Sequence, residues 1–326
     1  MAHMYEEEKR ELVALLTSRP RAAPKAFIEK YVNGLLDTLQ VVHGDPDSIA
    51  AELARIRSFL SEDTPFGYVN LACELALASW FKIRHPEGFA YQVPTPLAET
   101  TTGIQRTFDF RFHTESAQYN VEVKNFSRAG ASTEGKDPLK LFLPPAQANA
   151  LVGAGLNPEG TSRKALRQFL TKANGQLVRP DGGLSVVVIC CNDVDEYADA
   201  MECLVGEHGL VKDVSELDKI PNIDGIVFCL LGFMHHSALD AAITKKVYQD
   251  ESVTLHDGFD AWQYDPALPV GVFPVQTVEV RTQTAGDDFG QTFRLQNVRF
   301  NAHRERHPKD LQGAIFALFN DSIRVA

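Results

Sequence analysis

The first sixty residues carry apolar side chains at helical spacing. Leu12, Leu15 and Leu16 share one face of an opening segment that Pro20 and Pro24 interrupt. Phe27, Tyr31, Leu35, Leu36 and Leu39 then recur at three- and four-residue steps up to His43 and Gly44. Ile49, Leu53, Ile56 and Leu60 form the stripe of a third segment, which Asp47 or Ser48 can cap. The pattern predicts a helical N-terminal lobe. A fourth helix is expected from about Pro65 to Ile83, containing Leu71, Leu75, Leu77 and Trp80.

The period then changes from helical to two. In RTFDFRFH (106–113), Phe108, Phe110 and Phe112 are expected on one face and Asp109, Arg111 and His113 on the other. After the short connection TESAQ comes YNVEVKNF (119–126), with Val121 and Val123 opposite Asn120, Glu122 and Lys124. Two alternating runs so close together predict a β-hairpin. The phenylalanine stripe reads as core packing.

From 127 to 160 the pattern dissolves into Gly, Ala, Ser and Pro, as in a mobile insertion or a loop over a site. Order returns with TSRKALRQFLTKANGQL (161–177), a helix that Thr161 or Ser162 can cap, with Leu166, Phe169, Leu170 and Ala173 as its stripe. RPDGG ends it, and LSVVVICC (184–191) reads as a fully buried strand. Further strands are expected around 225–233, 270–281 and 292–301. Helical stretches near 195–207, 238–250 and 309–323 alternate with them. The fold class is α/β.

Composition narrows the function classes. With 326 residues, 44% of them hydrophobic, the chain can bury a core without disulfides or structural metals. Thirty-two basic against 43 acidic residues give a net charge of −11, which argues against a general nucleic-acid coat or a polybasic membrane-surface protein. The apolar runs 184–191 and 226–234 are far shorter than a membrane helix needs. Five cysteines without a CxxC pair suit buried thiols in a reducing compartment. The acidic opening YEEEKRE is unlike a signal peptide, so a cytoplasmic location is expected.

The candidate chemistry lies on the hairpin. Glu122 and Lys124, two residues apart on one strand, point to the same side, and a hairpin closed at 114–118 can bring Asp109 alongside them. Two adjacent carboxylates offer the hard oxygen ligands that Mg²⁺ prefers. A nearby ammonium can orient a metal-bound water and stabilise charge developing on a phosphate. These are the parts of metal-assisted phosphodiester hydrolysis.

In this arrangement the sequence resembles the PD-(D/E)xK nuclease superfamily, with its restriction-endonuclease-like fold. That family places a Glu-bearing helix first, then a strand with the Asp, a strand with (D/E)xK, a helix and a strand. The order here is the Glu74 helix, Phe108-Asp109, Glu122-Val123-Lys124, the helix from Ser162 to Leu177, and Leu184 to Cys191. The match covers roughly 65–192, and Phe108 stands where the family's name-giving Pro would be. The resemblance implies Asp109 and Glu122 as ligands of Mg²⁺ or Mn²⁺, completed by the Val123 backbone carbonyl. Lys124 would position or activate the attacking water, and Glu74 would be an outer or second-metal carboxylate. Gln168 and Lys172 would lie near the phosphate. It divides the chain into a helical lobe (1–62), a nuclease-like core (63–194) with a mixed central sheet, and a C-terminal α/β extension (195–326) that lengthens the sheet or forms a second lobe.

The expected function is therefore metal-dependent hydrolysis of nucleic-acid phosphodiesters, with DNA favoured as partner and a homodimer left open. The alternative is a protein that keeps the fold for binding or scaffolding without the chemistry. GASTEGK (130–136) matches a P-loop in form, with Asp193 as a Walker B counterpart. Asp137 and Pro138 after it would put a negative charge where a triphosphate must sit, and Pro144-Pro145 would stop any helix early, which argues against an NTPase. His303 and His307, and the neighbours His235 and His236, read as surface or packing residues. Charge is also uneven: residues 111–179 carry 10 basic and 5 acidic side chains within an otherwise acidic chain. The acidic total excludes only a broadly basic partner surface, and leaves room for a confined phosphate-binding cleft.

Overall fold

The computed structural model describes residues 5–19, 22, 25–61, 66–95, 106–126, 161–192, 194–206, 209–229, 231, 232, 235, 239, 276–280, 289, 292 and 293. The P-loop-like run, Asp193, His236, His303, His307 and the expected helix at 309–323 lie outside them, as does most of 238–250, 270–281 and 292–301.

Four helices come first: α1 (Glu6–Thr17), α2 (Lys25–Val42), α3 (Pro46–Leu60) and α4 (Phe66–Arg84). α1 opens with three glutamates, whose charge suits the positive end of a helix. α3 is capped by Asp45, two residues before Asp47 and three before Ser48, the expected caps. The Asp45 carboxylate accepts the Ser48 amide at 2.8 Å, and Pro46 takes the first helical position, where a missing N–H costs nothing. α4 packs against α2 and α3 on one side and against the sheet on the other. Every side chain from Tyr68 to Phe81 except Asn70 is accordingly buried, all round the helix.

Among the described residues the sheet has six strands in sequence order: β1 (Ala90–Pro94), β2 (Thr107–His113), β3 (Gln118–Phe126), β4 (Leu184–Cys191), β5 (Gly225–Cys229) and β6 (Gln276–Glu279). Helix α5 (Thr161–Asn174) links β3 to β4, while α6 (Val194–Val205) and the single turn α7 (Val214–Leu217) link β4 to β5. β3, β4 and β5 run parallel, and the remaining pairs are antiparallel, so the sheet is mixed. The protein is α/β, as its sequence predicts. The strand expected at 225–233 stops at Cys229, since Leu231 and Gly232 are already helical.

Each face of the sheet has its own core. One joins Phe110, Phe112, Val121 and Val123 to α1–α4, and the other joins Phe126, Val187, Ile189 and Phe228 to α5 and α6. β4 is buried at all eight positions, as a strand covered on both faces must be. The five thiols are free, four of them buried and Cys203 partly so. No helix among the described residues is long and apolar enough to cross a membrane.

The phenylalanine stripe is broken. Phe112 stacks on Phe81 of α4 at 4.3 Å, and Phe110 lies in the same core, but Phe108 belongs to the opposite one together with Val93. The cause is in the neighbouring strand. Gln92 sits between the cross-strand pairs Tyr91–Phe110 and Val93–Phe108, and its φ of 52° is in the left-handed region. The β1–β2 ribbon turns over at that residue, so strict alternation fails there.

Candidate functional site

The expected site residues sit where β2 and β3 part. The two strands pair from His113–Gln118 to Phe110–Val121, and the ladder ends there. One residue further on, the Asp109 carboxylate takes over: its Oδ2 accepts the Val123 N–H at 2.6 Å. A strand residue directs its N–H and C=O to the same neighbour, so the Val123 carbonyl faces this opening as well. On the other side β3 stays fully laddered to β4, from Tyr119–Leu184 to Phe126–Cys191.

Glu122 follows on β3 and is completely buried, and Lys124, 19% exposed, ion-pairs with its Oε1. Glu122 Oε2 is buried and has no hydrogen-bond partner among the described residues. Glu74 reaches the same place from α4, at 2% exposure. Tyr91 Oη and Gln92 Nε2 both donate to its Oε1, each at 2.6 Å. Each of the three carboxylates thus has one oxygen held by the protein, by Tyr91 and Gln92, by the Val123 amide, or by Lys124. Among the described residues, no hydrogen bond reaches the other three oxygens, Glu74 Oε2, Asp109 Oδ1 and Glu122 Oε2.

These groups feel one another. Burial drives Asp109 well above its ordinary pKa, and the charges of Glu122 and Glu74 push the same way against Lys124. Glu122 rises to about 7, again through burial first, with Lys124 opposing. Glu74 is raised by burial, against the pull of its Tyr91 hydrogen bond. Burial acts on Lys124 in the opposite sense, but Glu122 and Asp109 outweigh it, so Lys124 is raised and stays an ammonium. Burial and the Glu74 charge raise Tyr91 far above its usual value, which keeps its hydroxyl a donor. Burial thus disfavours the charged forms of all three acids. Lys124 opposes it at Asp109 and Glu122 and Arg55 does so at Glu74, and a cation among them would favour the carboxylates further.

Asp109, Glu122 and Lys124 thus lie side by side on the hairpin, and Glu74 is near enough to act on all three. No three His, Cys, Asp or Glu side chains among the described residues already enclose a metal position. The carboxylates would have to close on an ion. Gln168 and Lys172 are exposed on α5, unlike the buried or partly buried acids, so their connection to the site rests on the resemblance alone. His235 is a packing residue: it is buried, and its Nδ1 meets Tyr31 Oη at 2.9 Å.

Three contributors escape a reading of the sequence alone. Tyr91 and Gln92 lie in an unmarked extended stretch, with no glycine to announce a left-handed residue. Asn70 Oδ1 accepts the Asn125 N–H at 3.0 Å and fixes β3 just beyond Lys124. A signal for Asn70 does exist, since Asn70 and Glu74 are polar residues one turn apart in the apolar first half of the helix. At the end of β3, Asn125 and Asn192 exchange amide hydrogen bonds, and Asn192 also donates to Glu196. This network satisfies buried polar groups and ties β3 to β4. The chain matches no family model, no curated protein and no solved structure.

Proposed function

We propose that the chain is a divalent-cation-dependent phosphodiesterase acting on nucleic acid, with DNA as the favoured substrate and Mg²⁺ or Mn²⁺ as cofactor. One observation carries the reading: three carboxylates that feel one another, each with one oxygen held by the protein and one without a hydrogen bond among the described residues, beside the Lys124 ammonium. The order of elements supports it. A Glu-bearing helix, an Asp strand, an antiparallel Glu-x-Lys strand, a helix and a parallel strand correspond to α4, β2, β3, α5 and β4. This is the sequence of parts in a restriction-endonuclease-like core of the PD-(D/E)xK superfamily.

In this reading Asp109, Glu122 and the Val123 carbonyl would hold the cation, and Glu74 would add an outer carboxylate. When bound, the cation would supply Lewis-acid polarisation of the scissile phosphate and a lowered pKa for a water. Lys124 exchanges part of its contact with Glu122 for the attacking water or a phosphate oxygen, where its charge opposes the negative charge that builds up. The basic stretch 111–179, which includes β3 and α5, supplies the local positive charge a polyanion requires.

The test is cleavage of DNA and RNA by wild type, Asp109→Ala and Lys124→Ala, with Mg²⁺ and with Mn²⁺. Cleavage by wild type, lost in both variants, is the expected result. Equal and negligible cleavage by all three overturns the reading. The second reading, a nuclease-like fold kept for binding, draws on the Lys124–Glu122 ion pair and on the lack of a finished metal cage among the described residues. A Mn²⁺ titration separates the two, because a site that is only a salt-bridged sheet face takes up no ion.

A further inference from the structure

An apolar helix buried on every side has no inherent use for a glutamate, since a buried carboxylate is costly unless it is hydrogen-bonded or paired. Glu74 is such a residue, and two donors from β1 meet at its Oε1. One donor comes at a further cost. Gln92 is the one residue other than glycine with positive φ among the described residues, a conformation in which L side chains are strained. Its amide is held from both ends: Nε2 donates to Glu74, and Oε1 accepts from Thr107 Oγ1 of β2 at 3.3 Å. Thr107 lies two residues from Asp109, so the Gln92 amide bridges the two strands that bring the acids together.

We infer that Tyr91 and Gln92 are positioning residues that hold Glu74 by one carboxylate oxygen and present the other, Oε2, to a divalent cation. The inference rests on the cation site proposed above and adds the device that aims its third carboxylate. Both donors converge on the same oxygen, so the carboxylate is fixed in rotation as well as in place. The left-handed backbone at Gln92 follows from this function. It turns the strand so that side chains 91 and 92 both reach Glu74, whereas neighbours on a regular strand point to opposite faces.

Full-length Gln92→Gly separates positioning from simple stabilisation, because glycine accepts a φ of 52° without strain while the amide is lost. The measurements are Mn²⁺ affinity by titration calorimetry and the thermal midpoint without metal, for wild type, Gln92→Gly, Tyr91→Phe and Glu74→Gln. Losing an outer-shell partner should weaken Mn²⁺ binding roughly 10-fold or more in Gln92→Gly. Its midpoint should stay within about 3 °C of wild type. Tyr91→Phe and Glu74→Gln should also bind more weakly.

Unchanged Mn²⁺ affinity in Gln92→Gly and Glu74→Gln, with wild type binding normally, overturns the positioning role and leaves the Asp109–Glu122 site standing. A loss of affinity accompanied by a large fall in midpoint also overturns it, since the residue is then structural. Absence of Mn²⁺ binding by wild type overturns both this inference and the site it rests on.

Discussion

The Asp109 carboxylate accepts the backbone N–H of Val123 at 2.6 Å, one residue past the last β2–β3 pair. A side chain thus replaces a ladder bond at the point where the strands separate. The amide stays satisfied while the strand edge opens, which a buried donor requires.

The bond predicts different outcomes for two substitutions. Asp109→Asn keeps an oxygen for Val123 and should unfold in urea within about 1 kcal/mol of wild type. Asp109→Ala strands the donor and should lose roughly 1–3 kcal/mol. Both should lose cleavage activity. Equal urea midpoints for the two variants would show that the bond does not hold the opening.

Lys124 neutralises a completely buried carboxylate. Lys124→Met should therefore push the Glu122 pKa up further and cost roughly 3 kcal/mol at alkaline pH, where Glu122 is an uncompensated buried charge, but less at neutral pH, where Glu122 takes up a proton. Adding Glu122→Gln should recover most of that loss, since a neutral amide has no charge to compensate. A double-mutant cycle by chemical denaturation checks the pair, and additive effects would mean that the two do not interact.

The turnover of β1 predicts where aromatic residues couple. Phe81→Leu and Phe112→Leu alter rings stacked at 4.3 Å and should deviate from additivity by at least about 0.5 kcal/mol. Phe108→Leu and Phe112→Leu lie in separate cores and should add within about 0.5 kcal/mol. Strong coupling in the second pair would put Phe108 back beside Phe112.

His235 makes stability depend on pH. Burial lowers its pKa from 6.5 to about 3, so between these values the unfolded chain binds more protons than the native one. Its contribution is complete above pH 6.5 and is lost as pH falls from 6.5 toward 3, at about 1.4 kcal/mol per unit. His235→Gln should flatten this acid limb in urea melts collected at successive pH values. A limb of unchanged slope assigns the acid sensitivity to other groups.

The legible parts of the fold were those in which one local rule acts alone. Helical spacing marks α1–α4, and the unbroken apolar run 184–191 marks a strand covered on both faces. Two-residue periodicity put Glu122 and Lys124 on one side of β3 and the hairpin put Asp109 near them, whereas Glu74 was named only through the resemblance. Phe108 misled because its direction is set across the ladder by Gln92, a residue of ordinary type in an unusual backbone state. The α3 cap could have been read correctly, since Pro46 favours Asp45 as the residue before it. Tyr91 was not legible at all: its role depends on a hydrogen bond to a helix 17 positions away.

Asn70 and Glu74 lie one turn apart on α4 and grip different strands, Asn70 the backbone of β3 and Glu74 the side chains of β1. The helix is thereby a crossbar that locks alignment along the chain direction. Slippage of one strand past its neighbour, a standing hazard of antiparallel pairs, would have to pull Gln92 off Glu74 or Asn125 off Asn70. The polar groups that gather at the opening thus also guard the pairing frame of the sheet, and a helix seated in apolar side chains gives them the rigidity to do so.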